Sequence, residues 1–202
     1  MRWRFLLLVP VAAWAATAAQ AADSKDWVQP PAQLPHAQQL SDPTSSLDFL
    51  FDALKIAPDD ETAHAIEQRI WAIWAVSKSD TANLLMTRVR KAIEDKDLDL
   101  ALKLLDAIVR IKPDYVEAWN RRATIYFMKN DFGKSLADIR HVLKLEPRHF
   151  GALSGLGLIL QELGDDRHAL DVYRRALAIY PRLERVPDTV KRLEEKVEGK
   201  DI

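Results

Sequence analysis

The sequence predicts an all-α fold built from stacked pairs of antiparallel helices. From Leu47 onward, apolar residues recur every three or four positions, which is the spacing of amphipathic helices. Pro113, Pro147 and Pro181 are separated by 34 residues each, and a fixed interval of this length is typical of stacked helical repeats. Short polar breaks such as KNDFG separate the helical segments, so each repeat is expected to contain two helices.

Residues 1–21 have the pattern of a cleavable export signal. Arg2 and Arg4 precede an apolar stretch of about 15 residues, which ends in a small-x-small cleavage site at Ala21. A stretch of that length is shorter than the roughly 20 residues that span a bilayer, so an uncleaved membrane anchor is the less favoured alternative. We therefore expect a periplasmic mature chain that starts at Ala22 and does not remain inserted in the membrane.

Two segments are expected between the signal and the best repeats. Residues 22–43 hold four of the ten prolines together with several glutamines, a composition typical of an extended linker without fixed structure. Residues 44–77 then have the pattern of helix, turn and helix, with a break at Pro58. Trp71 and Trp74 lie on one face of the second helix of this pair.

Charge and cysteine content exclude several classes of function. The chain has 29 basic and 30 acidic residues, and loss of the two signal arginines would leave 27 basic residues. A mature chain with this balance lacks the basic surface that nucleic-acid binding requires, so no nucleic-acid partner is expected. There is no cysteine, which excludes disulfides, thiolate chemistry, a lipid anchor on cysteine and Cys-based metal sites.

Small and large residues also follow the 34-residue interval. Gly weakens a helix interior by about 1 kcal/mol relative to Ala, so a recurring small position indicates that two helices approach closely there. Each recurring proline lacks a backbone donor and disfavours helical geometry in the preceding residue, so it is expected to end a second helix. The other recurring positions hold Val89, Ala123 and Gly157; Ala101, Ser135 and Ala169; and Leu105, Ile139 and Tyr173.

This pattern resembles the tetratricopeptide repeat family, in a secreted bacterial form. The family unit carries Trp at position 4, Gly or Ala at 8, Tyr at 11, Ala at 20, an aromatic at 24, Ala at 27 and Pro at 32. The resemblance implies a right-handed α-solenoid of antiparallel helix pairs. We expect three good repeats at about 82–115, 116–149 and 150–183, a degenerate N-terminal hairpin at about 44–77 and a capping helix at 187–198.

No residue pattern predicts catalysis. His64, His141, His149 and His168 share no spacing that suits a metal site or a general base, and no Gly-x-Ser-x-Gly elbow occurs. Acidic pairs such as Asp165 and Asp166 fall at helix starts, where they would cap backbone donors. We therefore expect a non-enzymatic protein without metal or cofactor, and an enzyme of unknown type is the weakest alternative.

The resemblance implies that the first helices of the repeats line a concave groove for a peptide or a partner helix. Four apolar members of this groove are expected to anchor the ligand, and three amides are expected to hold its backbone. The alternative is that these side chains have only a structural role, with Phe127 and Met128 packed against the neighbouring hairpin. The expected groove residues are Asn83, Met86, Arg90, Asn120, Thr124, Phe127, Met128, Ser154, Leu158 and Gln161.

The expected function is a protein-binding adaptor in the bacterial cell envelope. Members of the family that clamp a C-terminal carboxylate carry basic and Asn residues at positions that here hold Met86, Arg121 and Gly155, among others, so a chaperone-tail receptor is not expected. The alternative is a homo-oligomer formed through the exposed end of the array or through the two-tryptophan hairpin. Gly151, Gly155 and Gly157 share one helix, which is expected to be soft or to be approached closely by a partner backbone.

Overall fold

The computed structural model describes residues 46–199, and these residues fold into α-helices joined by short turns. The predicted export signal and linker lie outside the described residues. Within this range the all-α prediction is confirmed, because the structure contains helices and no strand. None of the helices in this range is long and apolar enough to cross a membrane. The helices are α1 Leu47–Lys55, α2 Asp60–Trp74, α3 Asp80–Glu94, α4 Leu98–Ile111, α5 Val116–Met128, α6 Phe132–Leu145, α7 Phe150–Glu162, α8 Asp166–Ile179 and α9 Val186–Glu198.

Acidic residues begin most of the second helices of the pairs, as their positions in the turns predict. The Asp131 and Asp165 side chains accept hydrogen bonds from the backbone N–H groups of Lys134 and His168. Asp59 caps α2 in the same way. A cap of this kind is worth about 1 kcal/mol, and it accounts for these carboxylates without a catalytic role.

Three helix pairs, α3/α4, α5/α6 and α7/α8, stack in chain order, and α9 packs on α8. Within each pair a small position faces a large one, and the two sizes complement each other. A Cβ added at Gly157 would lie 2.6 Å from the ring of Tyr173, so no side chain fits there beside the ring. Where the large position holds Ile or Leu instead of Tyr, the small position holds Ala or Val instead of Gly. The facing pairs are Gly157 with Tyr173, Ala123 with Ile139, and Val89 with Leu105.

The α1/α2 hairpin forms, but it does not stack in front of α3 as a first repeat. Its core lies against the start of α7 and the end of α8. The Trp74 ring stacks on His149 with centroids 4.0 Å apart, and Trp71 lies over Gly151, where an added Cβ would be 2.8 Å from the indole. The two tryptophans that suggested self-association are therefore engaged within the chain.

Polar contacts also hold the hairpin to the turns between repeats. The Arg182 guanidinium donates to the carbonyls of Ala57 and Pro58 and pairs with Asp60 at 2.7 Å. Tyr180 Oη donates to Glu67. These contacts join residues more than a hundred positions apart in sequence, so helical periodicity carries no information about them.

Candidate partner-binding groove

A cavity of about 220 Å³ opens between the first helices α5 and α7, and we call it the groove cavity. Phe127 and Leu158 form part of its walls, and Ile139 of α6 lies behind them. Gly151 and Gly155 contribute no side chain to its α7 side, which leaves space beside Leu158. All the residues that line the cavity are uncharged, so it suits an apolar side chain better than a charged group.

The groove cavity brings together half of the residues predicted to bind a partner. Two of the polar members are already engaged within their own helices, since Ser154 Oγ donates to the Phe150 carbonyl and Thr124 Oγ1 donates to the Asn120 carbonyl. The Asn120 amide donates to Glu117 at 3.0 Å. The predicted residues that line the cavity are Asn120, Thr124, Phe127, Ser154 and Leu158.

The remaining predicted residues lie elsewhere. Met86 is 2% exposed in the core between α3, α4 and α5, so the expectation that it would anchor a ligand is wrong for this conformation. The Met86 side chain faces the neighbouring helices rather than solvent. Asn83 binds the backbone and hydroxyl of Ser77 and orders the turn before α3.

Arg90, Met128 and Gln161 also lie outside the cavity lining. Arg90 is exposed and donates to Thr87 Oγ1. Met128 is 56% exposed at the end of α5. Gln161 Oε1 accepts a hydrogen bond of 2.9 Å from Tyr173 Oη, so it supports the α7/α8 packing instead of holding a ligand backbone.

Phe127 has a packing contact and also borders the groove cavity, and its binding of a ligand stays a prediction. Its ring is half-buried and packs on Phe132 with centroids 5.7 Å apart, which is a contact within its own hairpin. It also lines the groove cavity. Phe127 therefore packs within the fold and also borders the space that is open to a ligand.

A cluster of ionisable side chains lies close to the cavity and beneath the α1/α2 hairpin. It consists of Glu117, Arg121 and His149. Glu117 and His149 are both fully enclosed, and their Oε2 and Nε2 atoms are 3.9 Å apart. Arg121 Nε pairs with Glu117 Oε1 at 2.8 Å. His149 Nδ1 accepts from the Ala152 N–H and caps α7, while its Nε2 has no hydrogen-bond partner among residues 46–199.

Burial shifts the pKa values of Glu117 and His149 toward their neutral forms. Removal from water lowers the pKa of His149 to about 3. Burial likewise raises the pKa of Glu117, although Arg121 and Asn120 act in the opposite direction. The sequence did not predict this cluster, because its burial depends on Trp74, which comes from a distant hairpin. A Glu-x-x-x-Arg spacing from Glu117 to Arg121 was the available signal, but it is equally typical of a solvated helix face.

The described part of the chain offers no metal centre. Across residues 46–199, no three His, Asp or Glu side chains come together in a way that could hold a metal ion. His168 pairs with the capping Asp165, and His64 lies beside Glu67.

Known proteins are similar to this chain in both sequence and fold. A family model described as Tetratricopeptide repeat matches residues 116–149 and 151–183. A TPR repeat-containing protein of Rhizobium etli is 46% identical over 159 residues, which cover 79% of this chain and 78% of that protein. Tetratricopeptide repeats are generally protein–protein interaction modules and are typically non-catalytic.

Solved structures of low sequence identity have the same fold. The first TPR of Spaghetti (RPAP3), bound to an HSP90 peptide, matches with a TM-score of 0.56 at 19% identity and covers 60% of this chain and 96% of that chain. The TPR2B domain of yeast Sti1, in a complex with pHsp70, matches with a TM-score of 0.54 at 13% identity, covering 58% and 99%. MamA matches with a TM-score of 0.53 at 17% identity, covering 74% and 79%. With its helical repeats and its close bacterial relative, the chain belongs to the tetratricopeptide repeat family.

Proposed function

We propose that this protein is a non-catalytic adaptor that binds an apolar segment of another protein in the groove cavity, in the bacterial cell envelope. The observation that carries the proposal is an open, uncharged cavity between two first helices of the repeats. Ligand pockets are typically apolar with a few polar groups that fix orientation. Asn120 and Thr124 at this cavity supply such polar groups, because the hydrogen bonds they make within α5 use donors and leave their side-chain oxygens able to accept.

The cavity chemistry favours an internal apolar segment over a chain terminus. A terminal carboxylate would need basic side chains, and the lining residues carry none. Gly155 leaves room beneath the ligand, and Phe127 and Leu158 flank that space. A peptide or helix that inserts one apolar side chain here uses the helix-in-groove mode of recognition.

Filling the cavity should remove partner binding. In a quantitative pull-down with the mature protein, Gly155→Leu and Phe127→Ala are each expected to reduce the bound partner about tenfold, which corresponds to roughly 1.4 kcal/mol. The first change occupies the space of the inserted side chain, and the second removes a wall. Bound proteins would be identified and quantified by mass spectrometry.

Leu163→Ala provides the matched control for these variants. Leu163 is exposed just after α7 and does not line the cavity, so it should retain the full partner set. Circular dichroism of every variant would verify that it is folded. If folded Gly155→Leu captured the same partners in the same amounts, the groove assignment would be wrong.

The envelope location is supported by the N-terminal sequence pattern. Expression of the full chain in a bacterium should yield a protein that is released by osmotic shock and begins at Ala22. N-terminal sequencing and the intact mass would measure this processing. A chain that retained residues 1–21 and stayed with the cytoplasmic fraction would contradict the envelope part of the proposal while leaving the groove untouched.

A further inference from the structure

The inner repeats show how one face of a first helix is normally covered. In α5, Ala118 and Ile125 are buried against the preceding α3/α4 pair. Between them, Arg122 reaches back to Asp106 of that preceding pair, with Nη1 2.8 Å from Oδ1. It also pairs with Asp138 of its own unit at 2.7 Å. This interface therefore combines apolar packing with one arginine that takes a carboxylate from the preceding unit.

Among residues 46–199, no preceding helix pair packs on the counterparts of these residues on α3. Leu84, Arg88 and Lys91 lie 34 residues before Ala118, Arg122 and Ile125. All three are exposed, and Leu84 is 66% exposed. The cause is the position of the α1/α2 hairpin, which packs on α7 and α8 instead of on this face.

Helix α4 extends the same uncovered surface, which we call the open end. Leu100 and Ile111 are 41% and 51% exposed, and Leu104 lies between them on the same side of the helix. Terminal repeats of an array usually carry a polar outer face for solubility, so exposed apolar residues here indicate an interaction surface. The open end is defined by Leu84, Arg88, Leu100, Leu104 and Ile111, with Lys103 and Arg110 at its rim.

The charges of the open end specify the partner. Arg88 forms no ion pair with any residue in the range 46–199, although it borders an apolar patch. Lys103 and Arg110 differ from it, because each follows an acidic residue of α4, Asp99 or Asp106, by one helical turn. The residue that corresponds to Asp138 in this unit is Leu104, so Arg88 also lacks the carboxylate of its own unit. By analogy with Arg122 and Asp106, the covering surface should bring the carboxylate.

We propose that a helix of another protein, with an apolar stripe flanked by acidic residues, docks on the open end in place of the missing preceding unit. Its apolar stripe covers Leu84, Leu100 and Ile111, and its carboxylate pairs with Arg88. A second copy of this chain is disfavoured as the occupant, because two open ends face to face would bring like charges together. This surface is separate from the groove cavity and does not depend on it.

Two labelled helical peptides that differ only in flanking charge test the proposal. Both carry Leu at three- and four-residue spacing; one has Glu on its flanks and the other has Lys. In fluorescence anisotropy at low salt, the mature protein should bind the Glu peptide at least tenfold more tightly than the Lys peptide. Arg88→Glu should reverse this preference, and Leu84→Asp should reduce binding of both peptides at least tenfold.

Gly155→Leu is the control that separates this site from the groove, and it should bind the Glu peptide like the unmodified protein. Thermal unfolding of the Leu84 and Arg88 variants should match that of the unmodified protein, because both side chains are exposed. The proposal would be overturned by equal binding of the two peptides, or by loss of Glu-peptide binding in Gly155→Leu alone. It would also be overturned by light scattering that shows a dimer of the unmodified protein and a monomer of Leu84→Asp.

Discussion

Gly157→Ala should destabilise the fold by about 1–3 kcal/mol, the usual cost of overpacking a core. The added methyl group would lie 2.6 Å from the buried Tyr173 ring, which is held by a hydrogen bond to Gln161. This cost exceeds the gain of about 1 kcal/mol that Ala has over Gly in a helix. Urea unfolding followed by circular dichroism would measure the free energy of unfolding.

Gly155→Ala, two residues earlier in the same helix, is the matched control and should stabilise the fold by up to about 1 kcal/mol. Its nearest neighbour would be Ile139 at 3.7 Å, an ordinary contact distance. The double variant Gly157→Ala, Tyr173→Ile reproduces the size combination of Ala123 and Ile139, so it should recover part of the lost stability. Equal stability of the two single alanine variants would show that Gly157 has no packing role.

Acidification should weaken the fold through His149. The pKa of His149 is lowered by burial to about 3, whereas an unfolded histidine titrates near 6.5. Between these values the unfolded chain binds a proton that the folded chain does not, so the free energy of unfolding falls with pH. From one group the slope is at most about 1.4 kcal/mol per pH unit. The contribution of His149 to the free energy of unfolding is complete above about pH 6.5 and is lost progressively toward pH 3.

Glu117 faces His149 and acts in the opposite direction. The raised pKa of Glu117 means that the fold favours the protonated carboxyl. The contribution of Glu117 to the free energy of unfolding is therefore present at low pH, and it is lost as the pH rises through the folded pKa. Arg121 opposes that loss by pairing with the ionised carboxylate. Trp74 stacks on His149 and Trp71 meets it edge-on. Neither indole carries a charge, so His149 is the group whose protonation most directly opposes hairpin packing.

His149→Asn separates the titration of His149 from its capping role, since Asn can cap a helix. The variant should be less stable at pH 7 because it loses the stacking on Trp74, but its stability should fall less steeply between pH 6.5 and 4.5. Urea unfolding followed by tryptophan fluorescence at several pH values would measure both slopes. Parallel slopes for the two proteins would rule out His149 as the acid-sensitive group.

The groove was predicted only in part, because helical position does not determine exposure. Phe127 and Leu158 follow the family positions and line the cavity. Met86 is the equivalent of Asn120 and Ser154, which line the cavity, yet it is enclosed in the core between α3, α4 and α5. Neighbouring helices, rather than the phase of a single helix, decided which of these side chains remain accessible.

Local periodicity was sufficient to predict the helices, the three stacked pairs and their small–large contacts, because these depend on spacings of three, four and 34 residues along the chain. The docking of the α1/α2 hairpin was decided only in three dimensions. Three glycines in α7 predicted a close approach, but Trp71 of the same chain covers Gly151. That contact joins non-repeating aromatic residues far apart in sequence, so no period encodes it, and it leaves the open end of α3 and α4 uncovered.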